Sequence, residues 1–528
     1  MKLKDILSGQ LNAAAWEQKG YELPKFDIKA LRERTYKEPT WVHFGGGNIF
    51  RAFPAAILND ALNTGQYDRG VIVAETFDFE VIDKAYQPYD NLSLYVALRS
   101  DGNIEKKVIA SVTEALKADY QFQDWQRLVD IFRQPSLQMI SFTITEKGYS
   151  YNDADLARGL KPVFALGKVT ALLYERYQAG QLPLTIQSMD NCSHNGDKVR
   201  QGVMAYAERW VANALVPEDF LIYLKDETKV TFPWSMIDKI TPRPHEKVKE
   251  LLQQDGFEDN NYIETERHTF TAPFVNAEEV QYLVIEDNYT NGRPPLHLGG
   301  ALYTTRETVD KVETMKVTTC LNPLHTAMSI YGCMLGYTLI SAEMQDDDLR
   351  AFIQKIGYME AMPVVTDPGV LNPYEFIGAV INKRLPNPFM PDAPQRIAMD
   401  TSQKLPIRFG ETIKKYIARG LDMKNLVLIP LTLAGYARYL KGLKDDLTPF
   451  EPSPDPMLQE LQQIVSPLEV GRQNQDFSCL KQLYSRKDVF GLDLYQAGLG
   501  EQIEDYVKEL FAGAGAVRKT LHKYVAQR

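Results

Sequence analysis

The sequence predicts an α/β protein: a doubly wound, largely parallel sheet in the N-terminal half, then a mostly α-helical C-terminal half. Three observations predict it. Up to about residue 285 short β-prone runs alternate with helical spacing, the pattern of a parallel sheet covered on both faces. Beyond residue 290 helical periodicity dominates and β-prone runs are few. The two regimes meet at Thr290-Asn-Gly-Arg-Pro-Pro295, a turn-forming stretch. The 528 residues exceed what one ordinary core accommodates. The expected division is an N-terminal extension over residues 1–40, a sheet domain over 41–288 and a helical domain over 289–528.

Trp41-Val-His-Phe44 reads as a strand that runs into Gly45-Gly46-Gly47. Apolar residues at 50, 53, 57, 58, 61 and 62 then recur at helical spacing. Gly70-Val-Ile-Val-Ala74, Leu137–Ile144 and Leu184–Ser188 are further strands of buried type, separated by helical pattern such as Phe164–Tyr177. In the second half helices are expected over Thr326–Ser341, Asp347–Gly357, Asn372–Arg384, Phe409–Arg419, Asn425–Gly442, Leu458–Val465 and Ile503–Phe511. Proline-rich patches at Leu385–Pro394 and Pro449–Pro456 punctuate them.

Composition narrows the function. Hydrophobic residues make up 44% and charged residues 24%, which excludes disordered and fibrous classes. Lys plus Arg total 59 against 69 Asp plus Glu, so the net charge of −10 gives no footprint for nucleic-acid binding. Four cysteines, none in a C-x-x-C pair, argue against a disulfide framework and fit a reducing, cytoplasmic setting. No run reaches membrane-span length. The seven histidines, 43, 194, 245, 268, 297, 325 and 522, form no H-x-x-x-H, so no metal site is expected. No G-x-S-x-G hydrolase motif occurs.

A strand, three glycines and a helix form the geometry that cradles a pyrophosphate. The pattern is G-G-G-N-I-F rather than G-x-G-x-x-G. Glu75, 28 residues beyond Gly47 and at the end of the next strand, is placed to accept hydrogen bonds from an adenosine ribose, with Asp78 as its rival. Either carboxylate would repel a 2′-phosphate, so NAD is the expected cofactor. Candidate cofactor contacts are Gly45, Gly46, Gly47, Asn48, Ile49, Phe50, Arg51, Glu75, Asp78, Thr145 and Glu146.

Several segments in order resemble the polyol-specific long-chain dehydrogenases of the mannitol dehydrogenase family. They are Gly45–Arg51, Thr145-Glu-Lys-Gly-Tyr149, Asp190-Asn191 with Asn195-Gly196, Ser235-Met-Ile-Asp-Lys-Ile-Thr-Pro242, Lys316 with Asn322 and His325, and Arg396–Asp400 continuing to Lys404-Leu-Pro406. The resemblance implies a Rossmann-like NAD-binding domain, a helical substrate domain, and metal-independent hydride transfer between NAD(H) and a sugar acid or polyol. It assigns Lys316 as general acid and base. Asn191 and Asn322 match its carbonyl-polarising amides and His325 its active-site histidine. Asp238 is given a substrate role. Within the family the expected reaction interconverts D-fructuronate and D-mannonate. Tagaturonate reduction, mannitol oxidation and a non-catalytic NAD-binding scaffold are the alternatives. Nothing in the residues speaks to oligomeric state.

Reducing a ketone requires a proton donor and stabilisation of the developing alkoxide, which a lysine and two neutral amides can provide. A uronate also brings a carboxylate, whose burial calls for a cation, preferably arginine. Arg384, Arg396, Lys404 and Arg408 are the candidates, and at least one is expected at the substrate. Finally, Lys316 and Asn322 lie six residues apart where the family usually has five. At 3.6 residues per turn the extra residue swings Lys316 by about 100°. Pro323 cannot sit in a regular helix interior. An irregular turn between Val317 and Asn322 is therefore expected, most simply a π-helical one, because such a turn absorbs one inserted residue; the competing outcome is a new helix that starts at Pro323 with Asn322 as its cap.

Overall fold

The structure, a computed structural model, describes residues 1–527. The described chain forms two compact units, residues 1–99 with 103–310 and residues 100–102 with those from 311 on.

Unit 1 is built on six parallel strands: β1 (Trp41–Phe44), β2 (Val71–Glu75), β3 (Val112–Lys117), β4 (Met139–Phe142), β5 (Leu184–Ser188) and β6 (Val230–Thr231). Their spatial order is β3-β2-β1-β4-β5-β6, so the order reverses at β1 and β4. This is the doubly wound arrangement, whose ligand crevice lies at the carboxyl ends beside the reversal. Every residue of β1, β2, β4 and β5 is buried, which is why they read as continuous apolar runs. Alternate residues feed two cores: Val42, Phe44, Ile72, Ile140 and Phe142 on one face, Trp41, Val71, Val73 and Met139 on the other. The flanking helices include α1 (Asn48–Ala52), α2 (Pro54–Asn63), α3 (Asp124–Phe132), α4 (Ala165–Gln178) and α5 (Asn195–Ala212).

The single helix expected over residues 50–62 is two. Phe53, at φ −130° and ψ −78°, breaks it, and Pro54 starts α2. Residues 1–40, expected as an extension, are woven into unit 1. Tyr21–Glu22 pairs with Lys106–Lys107 in a four-stranded sheet completed by Ser93–Leu98 and Phe274–Glu278. Trp16 is buried edge-on against Tyr21, with ring centroids 5.2 Å apart, and against Phe257 at 6.0 Å. A three-stranded sheet joins Ser235–Asp238, Tyr282–Glu286 and Leu302–Thr304.

Unit 2 is helical. Helix Arg306–Met315 leads into a π-helical turn, Lys316–Cys320, closed by the Leu321 N–H donating to the Lys316 carbonyl at 3.1 Å. Leu321 leaves helical geometry, and α6 (Asn322–Leu335) begins with Pro323 as its second residue. The structure thus combines the two expected outcomes, an irregular turn after Lys316 and a new helix at Pro323, with Leu321 rather than Asn322 as its cap. Helix α7 (Leu428–Tyr439) is buried on all sides, and α6 packs on it. The Glu360 carboxylate accepts from the N–H groups of Val427, Leu428 and Ile429 at 2.7–2.9 Å and so closes the N-terminus of α7. Further π-helical turns cover Ile356–Ala361, Val380–Arg384 and Pro406–Gly410. Among the described residues no helix is long and apolar enough to cross a membrane.

Candidate active site

In unit 1 the glycine turn follows β1 directly. Gly45 sits at φ +103°, and a Cβ there would lie 2.3 Å from the Thr143 carbonyl oxygen, so only glycine fits. Its N–H donates to the Ala74 carbonyl at 3.0 Å; the Gly46 N–H donates to Glu75 Oε2 at 2.8 Å; the Tyr86 hydroxyl donates to the Gly46 carbonyl at 2.8 Å. Gly47 differs: a Cβ there would meet nothing within 4 Å. Main chain held rigid on one side and bare on the other, at the carboxyl edge of the sheet, fits the close approach of a dinucleotide.

The expected cofactor residues here have partners within the protein. Glu75 Oε1 accepts from the N–H groups of Thr76, Phe77 and Asp78, while Oε2 takes Gly46. The carboxylate thus shapes the turn, with Oε2 accepting from Gly46. Burial pushes its pKa up against the pull of these four donors. Asp78 is buried and accepts from the Thr265 hydroxyl at 2.6 Å. Arg51, expected at the pyrophosphate, is buried. It donates to the Ala272 carbonyl at 2.8 Å, to Asn48 Oδ1 at 2.9 Å and to the Thr271 hydroxyl. Asn48 in turn donates to the Phe270 carbonyl at 3.3 Å. Phe50 stacks on His43 with centroids 4.1 Å apart, and Ile49 packs on the core. From Asn48 to Arg51 the side chains point inward, leaving the main chain as what this segment offers a ligand.

The loops after β4 and β5 are tied together by Asp190. Its carboxylate accepts from the N–H groups of Ile144 (2.8 Å) and Thr145 (3.1 Å) and from the Tyr149 hydroxyl (2.6 Å). Burial raises its pKa against these donors. Thr145 is held at φ +63°. Glu146 is exposed and pairs with Lys198 at 2.5 Å. Asn191 is exposed on the same β5 loop. Asn195 Nδ2 lies 3.0 Å from the Asp190 carbonyl, the Ser235 carbonyl and Ser235 Oγ, and its two N–H donors fix that loop against the strand carrying the buried Asp238. Asp190 and Tyr149 lie inside recognised motifs, but their anchoring role is invisible without the fold.

Unit 2 brings together Asn322, His325, Arg384, Arg396, Lys404 and Arg408; Lys316 is buried on the π-helical turn that precedes α6. His325 Nε2 is buried and has no hydrogen-bond partner among the described residues. Burial lowers the His325 pKa to about 4; Asp392 opposes this, while Arg384, Arg408 and Arg396 add to it. The imidazole is therefore neutral at physiological pH. Arg396 ion-pairs with Asp392. Arg408 has neutral partners only, donating to the Thr326 hydroxyl at 2.5 Å and to the Asn322 carbonyl at 3.5 Å. Lys404 donates to the carbonyls of Ile397 (3.1 Å) and Met399. Burial, then Arg408, lowers the Lys404 pKa to about 8. Neither Arg408 nor Lys404 makes an ion pair with a described residue. Lys316, Arg384 and Arg408 all lie on π-helical turns, irregularities that recur at functional sites.

Two family models match the chain, the mannitol dehydrogenase Rossmann domain over residues 39–298 and the mannitol dehydrogenase C-terminal domain over residues 308–511. A D-mannonate oxidoreductase from Thermotoga maritima is 51% identical over 97% of both chains. A mannitol 2-dehydrogenase from Cereibacter sphaeroides is 30% identical, covering 83% of this chain and 87% of its own. Among solved structures, a substrate-free D-sorbitol dehydrogenase superposes with a TM-score of 0.77 at 24% identity, covering 94% of this chain and 97% of that one. Pseudomonas fluorescens mannitol 2-dehydrogenase, in a ternary complex with NAD and D-mannitol, gives 0.68 at 24% identity, covering 98% and 100%. At that identity the two structures establish the fold.

Proposed function

We propose that this chain, which belongs to the mannitol dehydrogenase family, is an NAD-dependent oxidoreductase that interconverts D-fructuronate and D-mannonate. The observation that carries the substrate reading is the unbalanced cationic cluster beside His325. Arg408 and Lys404 are half-buried and make no ion pair with a described residue, and partial burial of a cation favours a bound anion beside it. A uronate carboxylate supplies that anion; a neutral ketose does not. The name of the Thermotoga maritima relative supports the same reading.

NADH, when bound, supplies the hydride. The open main chain at Gly47 and the loops held by Asp190 are the parts of unit 1 that would hold it. Lys316 gives its ammonium proton to the carbonyl oxygen as that oxygen becomes an alkoxide, and takes it back in the reverse direction. Asn322 is assigned an amide hydrogen bond to that oxygen, and Asn191, exposed on the β5 loop, is assigned as a second neutral amide donor. Losing one such donor costs on the order of 3 kcal/mol in barrier. His325, kept neutral, offers Nε2 as a hydrogen-bonding group without adding charge. Asp238 lies on the strand that Asn195 fixes to the β5 loop and is assigned to substrate positioning.

The test is NADH oxidation by the purified protein against D-fructuronate, D-tagaturonate, D-fructose and D-fructose 6-phosphate. D-Fructuronate should exceed D-fructose in kcat/KM by about a hundredfold or more, since a site built for a polar group rejects substrates that lack it. Equal rates with fructose would remove the acid reading, and wild-type turnover in Lys316→Ala would remove Lys316 from the mechanism.

A further inference from the structure

The centre of the parallel sheet in unit 1 holds a polar chain that neither the reaction nor the family motifs use. Trp41, His43 and Ser141 are fully buried and Thr143 nearly so. They lie on β1, on β4 and just past its end, with His43 and Ser141 directly opposite in the ladder. Trp41 Nε1 lies 2.7 Å from Ser141 Oγ, Ser141 Oγ 2.6 Å from His43 Nδ1, and His43 Nε2 2.8 Å from Thr143 Oγ1. Thr143 Oγ1 lies 3.4 Å from the Gly45 carbonyl oxygen. Strands in such a position normally carry only apolar side chains.

Donor counting fixes the direction of this chain. The indole N–H can only donate, so Ser141 Oγ accepts from Trp41. The Ser141 hydroxyl proton then has one acceptor among its contacts, His43 Nδ1. A neutral imidazole with Nδ1 accepting carries its proton on Nε2, which donates to Thr143 Oγ1. The Thr143 hydroxyl is left to donate to the Gly45 carbonyl. The opposite tautomer would leave the Ser141 hydroxyl buried with no acceptor, at the cost of an unmade bond. Burial holds His43 in the neutral form. The chain ends at two functional places, the strained glycine Gly45 and the Thr143–Thr145 loop that Asp190 anchors from its other side.

We propose that His43 is a positioning residue for the cofactor: as the Nε2–H tautomer it locks the Gly45 turn to the loop after β4 and so presets the main chain that receives NADH. Phe50 stacking on the ring leaves the imidazole one orientation. The inference rests on the reading that the glycine turn holds NADH.

The experiment titrates NADH into full-length wild type, His43→Leu, His43→Gln and Ser141→Ala, and records the 15N histidine spectrum of the wild type and of His43→Gln. His43→Leu removes both ring partners. Its NADH Kd should rise about tenfold, with affinity losing more than turnover at saturating NADH. His43→Gln keeps one acceptor and one donor and should recover most of the affinity. Ser141→Ala breaks the chain upstream and should fall between them. The signals that disappear in His43→Gln should show Nε2 protonated and should not titrate between about pH 5 and 9, where an ordinary histidine does. Wild-type affinity in Ser141→Ala, equal losses in the Leu and Gln variants, or a protonated Nδ1 would overturn the proposal. These outcomes decide it even if His43→Leu fails to fold. Failure of the wild type to bind NADH is a separate result that brings down the cofactor reading itself.

Discussion

At the scale of the residue, Gly47 and Glu75 separate what serves the fold from what serves the ligand. A Cβ at Gly47 meets no protein atom within 4 Å, and its φ of −72° suits any residue. Gly47→Ala should therefore keep the wild-type Tm while raising the KM for NADH by about tenfold or more; thermal melts and initial rates read the two halves. Glu75 spends its carboxylate on four backbone N–H groups. Glu75→Gln should weaken NADH and NADPH alike, because it loosens the turn instead of removing a ribose contact; parallel kcat/KM measurements with both cofactors check this. Lys404 gives a pH dependence. With its pKa lowered to about 8, it is a cation below that pH and neutral above it. The KM for D-fructuronate should hold steady below about pH 7 and rise through about pH 8 to 9. Lys404→Met should start from a higher KM and lack that rise. The glycine turn could be read from residue types alone; the destination of the Glu75 carboxylate could not, since strand-end acids that bind a ribose and those that cap a turn look identical in sequence.

At the scale of the element, the π-helical turn Lys316–Cys320 follows from counting. A spacing of six from Lys316 to Asn322 and a proline at 323 leave no regular helix that keeps both side chains in phase. Because the turn absorbs one extra residue, removing one should be tolerated. Deletion of Val317, the least buried residue of that turn, should keep turnover within about tenfold of wild type. Insertion of an alanine beside it should abolish turnover by adding a further swing of about 100°. Steady-state kcat with D-fructuronate measures both. The same counting failed where no motif supplied a reference spacing. Nothing in residues 93–109 signals that Ser93–Leu98 and Ile104–Ile109 form a hairpin in a second sheet, because Ile-Glu-Lys-Lys-Val-Ile is half exposed and takes its strand character from partners distant in sequence.

At the scale of the molecule, the N-terminal segment contributes to unit 1. Tyr21–Glu22 completes a sheet edge, and Trp16 is sealed between Tyr21 and Phe257. Trp16→Ala should cost about 3–5 kcal/mol, the usual range for emptying a large aromatic site. Calorimetry should show the transition of unit 1 falling in temperature. An unchanged transition would mean that the segment is an ornament after all.

Sequence by itself determined the α/β and α-helical halves, the glycine turn, the motif order that marks the family and the need for an irregular turn after Lys316. Each of these depends on periodicity, steric exclusion or spacing along the chain, which short windows contain. Tertiary structure alone decided which polar groups remain for a ligand once the protein has satisfied itself. Glu75, Asp78 and Arg51 carry the right chemistry and are engaged by backbone and neighbouring side chains. Arg408 and Lys404 look like ordinary helix cations yet are half-buried and make no ion pair with a described residue. Whether a buried polar group is paired depends on neighbours brought in from distant parts of the chain, and its cost when unpaired is what makes the answer functional.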